Sequence, residues 1–137
     1  MGTVLESLTE AQNVHDAEGL ASHFAVDYRS DQPAHPDRAF SGRTQVLENW
    51  TAVFAGVPDF HAELLAWCQD GQVEWGEVAW GGHYVDGSLF SMCGVIVATI
   101  DDGQIAAARL YVETVERSGA DIDAAVEQLY RPPGEDA

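Results

Sequence analysis

Apolar residues in the first part of the chain recur every three or four positions, which is the spacing of an amphipathic helix. This spacing predicts a helix that begins at Val4, a second short helix over residues 17–24, and a third that begins near Gly42 and ends before residue 56. Between the second and third helices, the sequence VDYRSD predicts a short strand that leads into a proline-containing loop. The first part of the chain is therefore expected to be mostly helical.

From Phe60 onward, apolar residues alternate with polar ones, which is the period of a β-strand. Asp-Gly turn signals divide this stretch into four long strands, so an antiparallel meander is expected. These signals stand at residues 70–71, 86–87 and 102–103. A last helix is predicted over residues 118–130, followed by a frayed polar tail over 131–137.

Helices followed by a meander favour an α+β fold, in which the N-terminal helices pack on the concave face of a strongly curved, mainly antiparallel sheet. The 137 residues are enough for one such domain, which is expected over residues 1–130. A curved sheet closed by helices encloses a cone, and the inside of a cone is a natural pocket for a small molecule.

If the last two turns are tight, the register of the meander places a polar row on one face of three strands. The row comprises Trp75, Glu77, His83, Arg109, Tyr111 and Glu113, around the small residues Gly81 and Gly94. The opposite face comprises Val78, Trp80, Tyr84, Val95, Val97, Ala106, Ala108, Leu110 and Val112. Two interpretations are open: the polar row faces water above an apolar core, or it lines a pocket while the apolar face pairs with a second subunit.

The formal charge of −17 excludes some classes of partner. A surface this acidic repels phosphate backbones and anionic lipids, so neither a nucleic acid nor a membrane partner is expected. The N-terminal residues lack the basic and apolar pattern of a signal peptide, which favours a cytoplasmic protein. The two cysteines, Cys68 and Cys93, are expected to be buried, reduced thiols.

No motif in the chain indicates a metal or a cofactor. His35 and Asp37 have the spacing of metal ligands, but they stand in a proline loop without further ligands nearby. The sequence has no nucleophile elbow, phosphate-binding loop or dinucleotide fingerprint. The expectation is therefore no metal and no cofactor.

Five segments, in this order, resemble one protein family: DAEGLASHF, GRTQVLENW, VPDF, WGGHYVDG and DGQIAAARLYVE. Over roughly residues 3–130 the chain resembles the SnoaL-like branch of the nuclear-transport-factor-two-like superfamily, which includes polyketide cyclases, steroid isomerases and limonene-type epoxide hydrolases. The resemblance implies a cone-shaped α+β fold that is dimeric through the outer sheet face. It favours the interpretation in which the polar row lines the pocket.

The resemblance to limonene-type epoxide hydrolases and polyketide cyclases implies candidate acids. Glu113 stands where the hydrolases have a catalytic aspartate and where the cyclases have a strand-end acid. Glu77 falls near the second acid of the hydrolases, although Trp75 replaces their intervening arginine. His83 resembles a histidine that is common among the cyclases.

The resemblance to steroid isomerases implies a rival base, because Asp31 matches their general-base aspartate. Leu8 and Ile96, however, stand near the tyrosine and aspartic acid of their oxyanion hole. Because these two side chains cannot donate a hydrogen bond, isomerase activity itself is not expected.

A carboxylate inside an apolar cone has a raised pKa, which makes it a useful acid or base near neutral pH. The candidate catalytic residues are Glu113, Glu77, Asp31 and His83, and the candidate substrate-binding residues are Tyr28, Trp50, Phe54, Trp75, Met92, Arg109 and Tyr111. The predicted function is that of a homodimeric SnoaL-like protein that binds a small, apolar, oxygenated molecule and acts on it by cofactor-free acid/base catalysis. The alternative is a non-catalytic binding or assembly module on the same fold.

Overall fold

The computed structural model describes residues 2–132 and residue 134, which form an α+β fold with one six-stranded sheet. The elements are α1 (Val4–Asn13), α2 (Ala17–Ala21), β1 (Phe24–Asp31), a short 3-10 helix (Pro36–Arg38), β2 (Phe40–Ser41), α3 (Arg43–Gly56), β3 (His61–Asp70), β4 (Val73–His83), β5 (Leu89–Asp101), β6 (Gln104–Thr114) and α4 (Ile122–Tyr130). The predicted fold class is confirmed. The tail predicted over residues 131–137 lies largely outside the described residues.

The strands lie in the order β2-β1-β6-β5-β4-β3, so the four long strands form the expected antiparallel meander. β1 joins the far edge of the meander by pairing with β6 in parallel, which the sequence pattern did not indicate. The helices α1 and α3 lie on one face of the curved sheet, and we call this the inner face. The opposite face is the outer face.

Side chains at the helix ends fix where the helices begin. Thr3 and Glu6 form a reciprocal capping box at α1, in which the Glu6 amide donates to Thr3 Oγ1 and the Thr3 amide donates to Glu6 Oε1. The buried carboxylate of Glu74 accepts from the next two amides of α1, those of Val4 and Leu5, at 3.1 and 2.9 Å. Because an anion is favourable at a helix N-terminus, Glu74 binds α1 to the inner face of β4.

The register of the meander differs from the prediction by one residue on each side of β5. The turn at Asp102 and Gly103 is tight, as predicted, and both residues have the positive φ that a two-residue hairpin needs. The connection between β4 and β5 instead has five residues, 84–88, and a bulge interrupts the pairing of β5 with β6 after Thr99. Glu77 therefore lies opposite Val95, whose other neighbour is Tyr111, and the predicted row through Ile96 is wrong.

The face that the helices cover is the apolar one, which contradicts the interpretation favoured by the resemblance. On β4, Val78 and Trp80 are buried while Trp75 and Glu77 are exposed. The register shift moves the even-numbered residues of β5 to the inner face, as in the buried Ile96. The helices cover this face because it offers the larger apolar area to remove from water.

Two further expectations need correction. Cys68 and Cys93 are free thiols, but both are exposed rather than buried. Gly94 was expected to leave room for a ligand on the polar face; it lies opposite Val78 and Val112 on the inner face instead. A Cβ at Gly94 would stand 2.0 Å from the carbonyl oxygen of Tyr111, so glycine is required there by the approach of the neighbouring backbone.

Candidate ligand cavity

A partly enclosed cavity of about 290 Å³ lies between the helices and the inner face of the sheet. The helices α1 and α3 and five strands of the sheet, β1, β2, β4, β5 and β6, contribute residues to its wall. The lining residues are Leu8, Gln12, Phe24, Tyr28, Ser30, Gln32, Phe40, Val46, Asn49, Trp50, Val53, Phe60, Trp80, Phe90, Met92, Ile96, Ile105, Ala108 and Leu110. Among the described residues of this lining, none carries a charge.

Aromatic rings form much of the wall. The indole of Trp50 stands edge-to-face against the indole of Trp80 and the phenyl ring of Phe60, with ring centroids 5.3 and 5.4 Å apart. On β1, Tyr28 makes a similar edge-to-face contact with Phe24 at 4.7 Å. Edge-to-face contacts hold aromatic rings in defined orientations, so these side chains form a wall of fixed shape.

The phenol of Tyr28 is the titratable group inside the cavity wall. Burial raises the pKa of Tyr28 to about 12, an effect that the Ser30 hydroxyl partly offsets and the charge of Asp31 reinforces. Tyr28 is therefore neutral at physiological pH and presents an O–H that can donate or accept a hydrogen bond. Ser30, two residues further along β1, is also buried and lines the same cavity.

Gln12 is a buried polar residue on α1, with only 2 % of its surface exposed. Within the part of the chain that the structure describes, its side-chain amide makes no hydrogen bond. The next residue contrasts with it, because Asn13 Nδ2 donates to the carbonyl of Ala62 and Asn13 Oδ1 accepts from the Ala62 amide, at 2.9 and 2.7 Å. Gln12 thus brings an unused donor and acceptor to the cavity.

Trp80 brings a second unused group. Its indole is nine-tenths buried, and its Nε1–H has no hydrogen-bond partner among the described residues. A buried polar group without a partner destabilises the fold by about 1–3 kcal/mol. Because both Gln12 and Trp80 line the cavity, a bound molecule is a natural source of the missing partners.

The other two polar side chains of the lining, Gln32 and Asn49, differ in having partners from the protein. Arg38 donates to the Gln32 oxygen at 3.0 Å, and Gln45 donates to the Asn49 oxygen at 2.7 Å. Both hydrogen bonds are exposed to solvent. These two residues therefore belong to the wet rim of the cavity, whereas Gln12 lies in its buried part.

The predicted substrate-binding residues divide into two groups. Tyr28, Trp50 and Met92 line the cavity. Phe54 stands outside the lining, behind Trp50 and Phe60, where its ring stacks on the His15 imidazole at a centroid distance of 4.7 Å.

The remaining predicted residues of the polar row lie on the outer face, so the expectation that they line the pocket is wrong. These residues are Trp75, Glu77, Arg109, Tyr111 and Glu113. The period of two correctly groups them on one face, but α1 and α3 pack on the other one. The catalytic roles expected of Glu77 and Glu113 stay predictions, and their exposed positions lack the desolvation that such roles require.

Three of the predicted catalytic residues have partners at the surface. His35 Nε2 lies 2.7 Å from Glu113 Oε1, and Arg29 Nε donates to Asp31 at 3.1 Å. The carboxylate of Asp59 accepts from both the amide and the Nδ1 of His83, at 2.6 and 2.7 Å. These hydrogen bonds hold the pKa of Asp59 below its ordinary value, although the pair is solvent-exposed.

Sequence reasoning missed Gln12 and the indole N–H of Trp80. A signal existed for each. Gln12 stands four residues after Leu8 and seven after Leu5, which is the buried position of an amphipathic helix and an unusual one for an amide. A tryptophan on the apolar face of a strand raises the question of where its N–H finds a partner.

Two observations limit the kinds of site that the described residues form. Within residues 2–132 and residue 134, no cluster of three or more His, Cys, Asp or Glu side chains is placed to hold a metal ion. In the same residues, no helix combines the length and the apolar character that crossing a membrane requires.

A family model described as "SnoaL-like domain" matches residues 5–108 of the chain. No curated protein sequence is significantly similar to it. Solved structures with the same fold include IdmH, a proposed polyketide cyclase from Streptomyces antibioticus, with 21 % identity, a TM-score of 0.67, and coverage of 81 % of this chain and 88 % of IdmH.

Two other solved structures share the fold at similar distance. One is a protein with a ketosteroid isomerase-like fold from Catenulispora acidiphila in complex with trimethylamine, with 17 % identity, a TM-score of 0.68, and coverage of 79 % of this chain and 85 % of that one. The other is a proposed polyketide cyclase from Sinorhizobium meliloti, with 21 % identity, a TM-score of 0.63, and coverage of 82 % and 95 %.

Proposed function

Because the chain belongs to the SnoaL-like domain family, we propose that its inner cavity binds a small, neutral, largely apolar molecule that carries oxygen. One observation carries the proposal: the cavity has an aromatic wall with a few neutral polar groups and no charged side chain in its described lining. Ligand pockets are commonly of this kind, since apolar walls supply affinity and a few polar groups fix orientation.

The size and shape of the cavity narrow the class of ligand. A volume of about 290 Å³ is at the lower end of small-molecule pockets and suits a molecule of two or three fused rings. Flat rings would pack against the indole of Trp50 and the phenol of Tyr28. An oxygenated polycyclic molecule, such as an aromatic polyketide, has these properties.

Charge argues for a neutral ligand. A carboxylate or phosphate in this cavity would lose its hydration without gaining a cationic partner from the described lining, which is unfavourable. The net charge of −17 adds a general repulsion of anions.

Calorimetric titration of the protein with 1-tetralone, a neutral bicyclic ketone, tests this function. Two adjacent residues of β6 supply matched variants, because Ala108 lines the cavity and Arg109 is exposed on the outer face. We expect Ala108→Phe to fill the cavity and weaken binding at least about tenfold, as lost apolar contact requires. Arg109→Ala should leave the affinity unchanged, and the opposite pattern would place the ligand on the outer face.

Acid/base catalysis of the cyclase type is a second candidate function, and one observation favours it. Asp31 follows the cavity residue Ser30, and its negative charge acts on the Tyr28 phenol. In this candidate mechanism Tyr28 holds or returns a proton at a ligand oxygen, while Asp31 raises the proton affinity of the phenol. Asp31→Asn should then lower turnover more than ligand affinity, whereas Glu113→Gln tests the role expected of the strand-end acid.

We also propose that the protein is a homodimer through its outer face. Trp75, Val95 and Tyr111 lie on three neighbouring strands of that face and are 36–44 % exposed. An exposed group of large apolar side chains is typical of an interaction surface. Tyr111→Glu should shift the protein to a monomer in sedimentation experiments, and an unchanged sedimentation coefficient would contradict the dimer.

A further inference from the structure

We infer that the ligand of the cavity carries a carbonyl oxygen, and that Gln12 and Trp80 are the residues that select it. This inference rests on the proposed function, because it names the chemical group that the proposed ligand must present. Gln12 and Trp80 are both at least nine-tenths buried and both line the cavity, and the buried Nε1–H of Trp80 has no hydrogen-bond partner among the described residues.

The indole of Trp80 determines whether the ligand must donate or accept the hydrogen bond. An indole N–H is a donor only, so a partner that satisfies it must be an acceptor. A carbonyl oxygen is such an acceptor, whereas a hydrocarbon edge would leave the N–H unsatisfied. The Gln12 amide can add a second N–H donor to the same oxygen or use its own oxygen to accept from a neighbouring hydroxyl.

The backbone brings the two residues into one region of the cavity. Asn13, next to Gln12, is fixed by two hydrogen bonds to the backbone of Ala62. Ala62 lies directly opposite Trp80 in the pairing of β3 with β4. The end of α1 is thereby held against the strand pair that carries Trp80, so Gln12 does not depend on a mobile loop for its position.

The other polar groups of the lining do not duplicate this role. Asn49 and Gln32 accept hydrogen bonds from protein side chains at the rim. Tyr28 interacts with Ser30 on its own strand. Gln12 and Trp80 are therefore buried groups of the lining that no neighbouring side chain among the described residues satisfies, whereas Tyr28 shares its oxygen with Ser30.

Two probes of nearly the same shape test the inference. 1-Tetralone has a carbonyl group, and tetralin has a methylene group in its place. The affinities of both compounds are measured by calorimetry for wild type, Gln12→Leu, Trp80→Phe and the matched control Gln69→Leu, at an exposed glutamine outside the lining. Gln12→Leu retains the approximate volume of the side chain, and Trp80→Phe retains an aromatic ring without the N–H.

We expect wild type to bind the ketone more tightly than tetralin, by about tenfold or more. Each of Gln12→Leu and Trp80→Phe should reduce this preference severalfold by weakening ketone binding, while Gln69→Leu should keep it. If wild type and both variants bind the two compounds with the same ratio of affinities, the inference is wrong although the proposed function stands. If wild type binds neither compound, both the proposed function and the inference are contradicted.

A measurement on the unaltered chain avoids any effect of the substitutions on folding. The four tryptophans give four indole N–H signals in a ¹⁵N-labelled sample, and Trp80→Phe identifies the signal of Trp80 by its loss. Ketone binding should move the Trp80 proton downfield, as a new hydrogen bond does, and tetralin should not. Equal shifts with both compounds would overturn the role given to the Trp80 N–H.

Discussion

The inner and outer faces of the sheet differ in how they use the same residue types. Trp80 and Trp75 stand five residues apart on β4, yet Trp80 lines the cavity and Trp75 is 42 % exposed. Carboxylates show the same division, because Glu74 is buried as a cap for α1 whereas Glu77 is exposed on the outer face. Residue type alone therefore does not identify the site, since the covering helices give each side chain its environment.

The difference between the two faces also changes the chemistry expected of the cavity. The outer face has the acids, an arginine and a histidine contact, but water surrounds them and weakens their interactions. The inner face lacks charges in its described lining, but its neutral donors are removed from water, where each hydrogen bond has more effect. Selective binding is favoured on the inner face, and association with another chain on the outer one.

The largest difference between the faces should appear in stability. Ile105 is almost completely buried on β6, so Ile105→Ala should lower the free energy of unfolding by about 2–5 kcal/mol. Tyr111→Ala, on the outer face of the same strand, should lower it by under about 1 kcal/mol in the monomer. Denaturant unfolding measures both, and a concentration-dependent loss for Tyr111→Ala would indicate that the outer face is buried in an assembly.

The raised pKa of Tyr28 predicts a loss of stability in alkali. The phenol keeps its proton up to about pH 12 in the folded chain but ionises near pH 10 when unfolded, so its contribution is complete below pH 10 and disappears as the pH approaches 12. The loss should be roughly 2–3 kcal/mol over this range. No lysine titrates in the same window, because the chain has none. Tyr28→Phe should remove this part of the pH dependence, and an unchanged profile would contradict the burial of the phenol.

The two carboxylates of β4 give a prediction of intermediate size. Glu74→Gln should lower the free energy of unfolding by about 2 kcal/mol, because the buried charge that accepts from two amides of α1 is lost. Glu77→Gln is the matched control and should change stability by under about 0.5 kcal/mol. Chemical denaturation of both variants is the measurement, and equal effects would show that burial does not distinguish them.

The pair of Asp59 and His83 predicts a small effect confined to acid. The pKa of Asp59 is lowered, so its stabilising contribution is present near neutral pH and is lost as the pH falls through that pKa. In His83→Ala the pKa of Asp59, followed by NMR, should return towards its ordinary value. Ligand affinity should stay the same, because neither residue lines the cavity.

The smallest effect is expected at Glu113, although the resemblance to known enzymes singles it out. Glu113→Gln alters an exposed contact with His35 and should leave tetralone affinity unchanged within about twofold. Calorimetry tests the affinity, and a turnover assay follows once a substrate is found. A complete loss of turnover would contradict the division of roles between the faces.

The sequence predicted local structure where the signal is local. The first helix begins at Val4 as predicted, and the predicted tight turn at Asp102 and Gly103 has two residues of positive φ. The tight turn predicted at Asp86 and Gly87 is wrong, because this Asp-Gly pair belongs to a longer loop over residues 84–88. A register derived from the wrong loop length shifts by one residue, and one residue exchanges the faces of β5.

The sequence by itself determined the fold class, the order of the elements and the membership of each face on β4 and, from Ala108 onward, on β6, because hydrophobic periodicity and turn chemistry act over a few residues. It also determined the net negative charge of the chain and the aromatic residues available to form the wall. The bulge in the pairing of β5 with β6 places Ile105 on the inner face instead of the expected Ala106. Only the tertiary structure decided that α1 and α3 cover the apolar face, and that Gln12 and Trp80 reach the cavity without partners. These features depend on packing between residues far apart in the chain, and on the hydrogen bonds that packing leaves unmade.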